Sequence, residues 1–262
     1  FGCCTANMHQ GWPKLASHLW MGTPGGGLAA VAYAPSEVRA RVGRGVNVSI
    51  MADTEYPFRE TVRLLVSPAS PAAFELRLRV PRWAEDARIL VNGKAEANVR
   101  PNSFHPITRV WRKGDRVELT FPMRVRATRW HRESVALERG PLVYALRIGE
   151  EWRKIAQRGL TADWEVHATT PWNYGLLVDT AAPDRSVRVL EKSVGRFPFS
   201  PDGAPVELRV KARQIPGWII ENGSAGPLPE SPAASREPLG EVALIPYGAA
   251  KLRITAFPLL RE

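Results

Sequence analysis

The chain has 262 residues, 44% hydrophobic and 24% charged, with 36 Lys+Arg against 26 Asp+Glu for a net charge of +10. Such a chain is globular and long enough for one large domain or two ordinary ones. No apolar run approaches the roughly 18 residues that cross a bilayer as a helix, and two cysteines cannot build a disulfide framework. No signal peptide is visible; with Phe1 rather than Met in first place, its absence decides nothing, and localisation is left open.

Residues 1–20 read as helical, because Met8, Trp12, Leu15, Ala16 and Leu19 recur at spacings of three or four. Pro13 marks a helix start or a kink. Gly22-Thr23-Pro24-Gly25-Gly26-Gly27 then makes a loop, and the apolar period changes to two. Strands are expected at 28–34, 46–51, 61–67, 74–80, 88–91, 104–110, 116–121, 124–129, 134–138 and 142–147. Asn92-Gly93 is a type I′ hairpin signal. Lys113-Gly114-Asp115 supplies a second turn, ahead of the inward-alternating Val117, Leu119 and Phe121. Short strands divided by Gly, Pro and Asn turns predict an antiparallel sandwich. A second series is expected at 164–167, 174–179, 187–191, 206–213, 242–245 and 252–257, with 223–236 as a long surface loop. The two sandwiches should meet near residues 124–131.

The basic charge makes nucleic acid a candidate partner in principle. The arginines are scattered, however, and alternate with apolar residues, as in Leu76-Arg77-Leu78-Arg79-Val80 and Arg124-Val125-Arg126. That pattern describes the solvated face of a half-buried sheet. Neither nucleic acid nor a membrane is therefore an expected partner.

Cys3 and Cys4 are the only cysteines, and they are adjacent. Neighbouring Cα atoms lie about 3.8 Å apart, short of the roughly 4.4–6.8 Å of a disulfide, so a bond between the two would be strained. Two thiols side by side suggest metal ligation or thiolate chemistry; two buried, inert cysteines are the equal alternative. Of the five histidines, His9 and His18 lie nine apart, not at the i, i+4 spacing of a helical metal pair. A Cys–His nucleophile pair stays open as a minor alternative. Trp83, Trp111, Trp130, Trp164, Trp172 and Trp218 fall at strand ends or loops, where core packing is the first expectation and a sugar-stacking face the second. Asn47-Val48-Ser49 and Asn222-Gly223-Ser224 fit the glycosylation acceptor pattern without deciding anything. No phosphate-cradling glycine loop and no Gly-x-Ser-x-Gly elbow occurs.

The run from Cys3 to Lys14, with Ala52-Asp53-Thr54-Glu55-Tyr56-Pro57-Phe58, resembles glycoside hydrolase family 127, the beta-L-arabinofuranosidase-like proteins. Arg79-Val80-Pro81-Arg82-Trp83-Ala84, Val91-Asn92-Gly93 and Trp111-Arg112-Lys113-Gly114-Asp115 continue the resemblance. So do Glu138-Arg139-Gly140-Pro141-Leu142-Val143-Tyr144, Pro171-Trp172-Asn173-Tyr174 and Leu244-Ile245-Pro246-Tyr247-Gly248.

The resemblance implies an (α/α)6 barrel carrying the active site, followed by β-sandwich domains. On that basis the chain should be mainly β: the truncated end of the barrel at 1–22, a first sandwich at 23–127 and a second at 128–262. Cys3 matches the family's nucleophile, and Cys3 and Cys4 its zinc-binding pair. The glutamate and third cysteine that complete the zinc site, the glutamate also serving as acid/base, would lie upstream. The implied partners are a carbohydrate substrate, the barrel of the same chain and, as an option, a second copy in a homodimer. The implied activity is retaining hydrolysis of terminal beta-L-arabinofuranosides by the parent, with this stretch inactive alone. The competing reading is a non-catalytic sandwich that binds glycans through exposed Trp or serves as a scaffold; a basic interaction protein is a weaker third.

Overall fold

The structure is a computed structural model that describes residues 2–261. The chain is mainly β and divides into two compact units between Met123 and Arg124.

The first unit opens on helices α1 (Gly2–Asn7) and α2 (Gly11–Ser17), joined by a 3-10 turn at Met8–Gln10. Pro13 is the third residue of α2, within the first turn, where a missing N–H forfeits no helical bond. The expected apolar stripe exists but faces outward: Met8 is 82% exposed and Trp12 73%. Leu19 alone of that stripe is buried, and its carbonyl accepts the N–H groups of Val31 and Ala32.

Ten strands follow: β1 (Trp20–Gly22), β2 (Leu28–Ala30), β3 (Ser36–Val42), β4 (Val46–Thr54), β5 (Thr61–Pro68), β6 (Ala72–Val80), β7 (Arg88–Val91), β8 (Lys94–Ala95), β9 (Ser103–Trp111) and β10 (Asp115–Thr120). They form a four-stranded sheet in the order β1-β2-β6-β9 and a six-stranded sheet in the order β3-β4-β5-β10-β7-β8. Period-two alternation aims one row of each sheet at a shared core. Val62, Leu64 and Val66 of β5, Leu76 and Leu78 of β6, and Val117 and Leu119 of β10 are all buried.

Among the paired strands described, the expected antiparallel pattern has one exception, since β2 runs parallel to β6. Gly27 makes that approach possible: a Cβ there would stand 2.2 Å from the carbonyl oxygen of Glu75 in β6. The strand expected over 28–34 stops at Ala30 because the next two N–H groups turn back to Leu19. The sequence reading also missed β3, whose inward positions carry only Val38, Ala40 and Val42 between charged neighbours.

The second unit contains β11 (Val125–Arg129), β12 (Val135–Arg139), β13 (Leu142–Leu146), β14 (Glu150–Arg158), β15 (Thr161–Ala168), β16 (Tyr174–Leu176), β17 (Val187–Glu191), β18 (Val206–Gln214), β19 (Ile220–Glu221), β20 (Ser224–Ala225) and β21 (Gly240–Pro246). The 127/128 division expected from sequence falls within β11. Seven strands share a sheet in the order β11-β12-β13-β21-β18-β16, with β17 also paired to β18. β14–β15 and β19–β20 are separate hairpins.

The strand expected over 252–257 does not form. Its backbone bonds to two different places, Ile254 to Leu146 and Phe257 to Val135, so no ladder develops. β14 went unforeseen because its residues are mostly exposed and show no clean alternation. The loop expected over 223–236 contains β20, since Asn222 (φ 50°) and Gly223 (φ 74°) turn a two-residue hairpin.

Candidate functional site

Cys3 and Cys4 occupy consecutive positions of α1. Both are free and exposed in this chain. Neighbours on a helix point about 100° apart, yet rotamer choice brings the two Sγ atoms to 3.8 Å. The turn beneath them is tied by side chains. Asn7 Nδ2 donates to the carbonyl of Cys3 at 2.7 Å, and Gln10 Nε2 donates to Asn7 Oδ1 at 2.9 Å.

No histidine among the described residues is hydrogen-bonded to the pair. Among the described residues, no three His, Cys, Asp or Glu side chains converge on a point that could hold a metal ion. His18 Nδ1 lies 2.7 Å from the carbonyl of Lys14, at the C-terminal end of α2. His105 stands 3.5 Å from Glu96, and His167 3.0 Å from Glu165. The Cys–His nucleophile alternative thus finds no support among the described residues.

The tryptophans separate by role. Trp111 and Trp218 are buried, with indole N–H groups donating to the carbonyls of Phe74 and Gly226. Trp83 packs on the first core beside Phe121, and Trp172 packs edge-on against Trp218 at 5.1 Å. Trp130 and Trp164 are exposed, as is Trp152, which the sequence reading did not single out. Two of the strand arginines pair with carboxylates, Arg77 with Glu75 at 2.5 Å and Arg126 with Glu138 at 2.8 Å.

The remaining sequence motifs turn out to be joints rather than reactive groups. In the β4–β5 connection, Thr54 Oγ1 donates to the carbonyl of Thr61 and accepts the N–H of Tyr56. Tyr33, Tyr56, Trp83 and Phe121 pack together there. Burial pushes the Tyr56 hydroxyl up to about 12 and the Tyr33 hydroxyl higher still, so both stay neutral. Asn173 Nδ2 donates to the carbonyls of Ile215 and Trp218, both at 3.0 Å.

Residues 27–123, nearly the whole sheet region of the first unit, match the family model described as the beta-L-arabinofuranosidase, GH127 middle domain. That segment is similar to the GH127 middle domain. Solved structures extend the likeness across both units. One is a GH127 beta-L-arabinofuranosidase from Geobacillus stearothermophilus T6, 27% identical, covering 99% of this chain and 37% of that one at a TM-score of 0.67. A glycoside hydrolase (24% identity, 99% and 40% coverage, TM-score 0.66) and a GH127 beta-arabinofuranosidase (20%, 98% and 38%, 0.68) share the fold. No curated protein sequence matches the chain. The chain therefore spans about two fifths of the length of these structures. Cys3 and Cys4 lie outside the matched GH127 domain, 24 and 23 residues before its first position.

Proposed function

We propose that the intact protein is a retaining glycoside hydrolase acting on terminal beta-L-arabinofuranosides, with Cys3 as nucleophile. Cys3 and Cys4 would be two ligands of one zinc ion. One observation carries the reading: a pair of exposed, convergent cysteines on a helix some twenty residues ahead of a segment similar to the GH127 middle domain. The sulfur separation fits the metal. Two thiolates at about 2.3 Å from a tetrahedral zinc stand about 3.8 Å apart, and these stand 3.8 Å apart. Their exposure leaves room for further ligands, which in this reading come from a helical barrel preceding the segment.

The chemistry follows from the nucleophile. The Cys3 thiolate attacks the anomeric carbon while the bond to the leaving oxygen breaks, and that oxygen takes a proton from a general acid. Water then displaces the sulfur from the same carbon, the acid having become the base. Two inversions give net retention. A zinc ion held by Cys3 and Cys4 would stabilise the thiolate, keeping the sulfur ionised and making it a better leaving group. Asn7 and Gln10 hold the helical turn that presents the pair. The β units act as a support for the barrel, and the 262-residue chain by itself is inactive for want of the acid/base.

The test is arabinose release by the intact protein. Cys3→Ser abolishes turnover, and Cys4→Ser lowers bound zinc together with activity. The isolated 262-residue chain releases nothing. Wild-type turnover by the Cys3→Ser protein ends the assignment.

A further inference from the structure

Among the described residues, six other than glycine have a left-handed backbone, and four of them are asparagines, the residue type that tolerates it best. The two exceptions are neighbours, Arg132 (φ 56°) and Glu133 (φ 54°), in the turn between β11 and β12. Each costs of order 1–3 kcal/mol, and such strain gathers where a turn must present something. This turn presents Trp130, 61% exposed, in the lining of a cavity of about 300 Å³. His131, Ser134, Glu138, Leu228 and Thr255 also line it.

The Trp130 ring is held in place. Its indole N–H donates to Thr128 Oγ1 at 3.0 Å, and the Thr128 hydroxyl donates to Glu138 Oε1 at 3.1 Å. Arg126 Nη2 holds the other carboxylate oxygen at 2.8 Å. The turn is anchored as well: Arg132 Nη1 donates to the carbonyl of Leu228, and Glu133 pairs with Arg129 at 3.1 Å. A large aromatic surface is thus fixed in advance, which removes the ordering cost a ligand would otherwise meet.

We propose that this cavity is a non-catalytic binding site for a sugar residue of a glycan chain. A furanose or pyranose ring has an apolar C–H face that stacks on an indole and a rim of hydroxyls. The cavity offers the indole, an apolar lining from Ala136, Val143, Leu228 and Ala256, and a few polar groups from Glu138, His131 and Thr255. The Glu138 carboxylate, neutralised by Arg126, accepts from hydroxyls and disfavours a phosphate. A volume near 300 Å³ lies at the small end of ligand pockets, suited to one or two sugar rings. The choice of L-arabinose as the sugar rests on the hydrolase reading above; the pocket itself does not.

The experiment titrates the 262-residue chain with arabinan oligosaccharides, and in parallel with xylo-, galacto- and gluco-oligosaccharides, following Trp fluorescence and calorimetric heat. Saturable binding that weakens about tenfold or more in Trp130→Ala, persists in Trp130→Phe and is unchanged in Trp164→Ala supports the site. The Phe variant and far-UV circular dichroism guard against a misfolded Ala variant. Cys3→Ser should bind as wild type, which separates this site from the hydrolytic centre. Binding of another sugar series alone upholds the pocket and counts against the arabinoside reading. Wild-type affinity in Trp130→Ala, or no saturation by any series up to ~10 mM, overturns the proposal.

Discussion

Asn92 and Asp115 belong to two different turns, yet their side chains meet. Asn92 Nδ2 donates to Asp115 Oδ1 at 2.9 Å, and the N–H of Arg116 donates to Asn92 Oδ1 at 2.8 Å. The second Asp115 oxygen accepts the N–H of Arg112 at 2.9 Å, with Arg109 at 3.8 Å. Asp115→Ala leaves two donors in a partly buried place without their acceptor. Hydrogen bonds to charged groups contribute about 1.5–3 kcal/mol, so the loss should be about 3 kcal/mol. Asn92→Gly keeps the left-handed turn at φ 51° and removes only the side chain, for about 2 kcal/mol. Because the two share one contact, the double variant should lose about 1 kcal/mol less than the sum. Urea unfolding of the full chain, followed by Trp fluorescence and circular dichroism, measures all four corners of the cycle. Additivity within about 0.5 kcal/mol would refute the claim that this bond locks the two turns together.

The same carboxylate gives a pH dependence. Burial alone would raise Asp115, but the Arg112 N–H, Asn92 and the charges of Arg109 and Arg112 together hold it below the usual carboxylate range. Its folded value is depressed, so its stabilisation is full above about pH 4 and is lost as pH falls through the folded value; Asp115→Asn should flatten that part of the acid unfolding curve. Gly27→Ala should destabilise the first unit by about 2 kcal/mol or more, since its Cβ would collide with the Glu75 carbonyl. A melting temperature within a degree of wild type would show that β2 and β6 are not so closely spaced.

Much of the fold was legible because single residues impose local geometry. Asn92-Gly93 could be read as a hairpin, and Val117, Leu119 and Phe121 as an inward row, because φ > 0 and period two leave marks in residue type. The same Asn-Gly signal at Asn222-Gly223 was passed over as a glycosylation triplet. β3 was missed because small inward residues between charges carry little hydrophobic signal, and the false strand at 252–257 because an alternating segment need not find a ladder partner. For the candidate site, sequence supplied the adjacency of Cys3 and Cys4 but not their exposure or the convergence of their sulfurs, which depend on rotamers and on what covers the helix. The Trp130 pocket was less visible still: the strain at Arg132 and Glu133 and the chain of bonds through Thr128 and Glu138 join residues that sequence does not link.

The central claim is that the Cys3 sulfur takes the sugar. The most direct measurement is the mass of the intact protein, and of its peptides, after brief incubation with a beta-L-arabinofuranoside carrying an activated leaving group. The account predicts one arabinosyl group, located on Cys3 and absent from Cys3→Ser. An adduct on another side chain, or full turnover with no adduct in the Cys3→Ser protein, would contradict it.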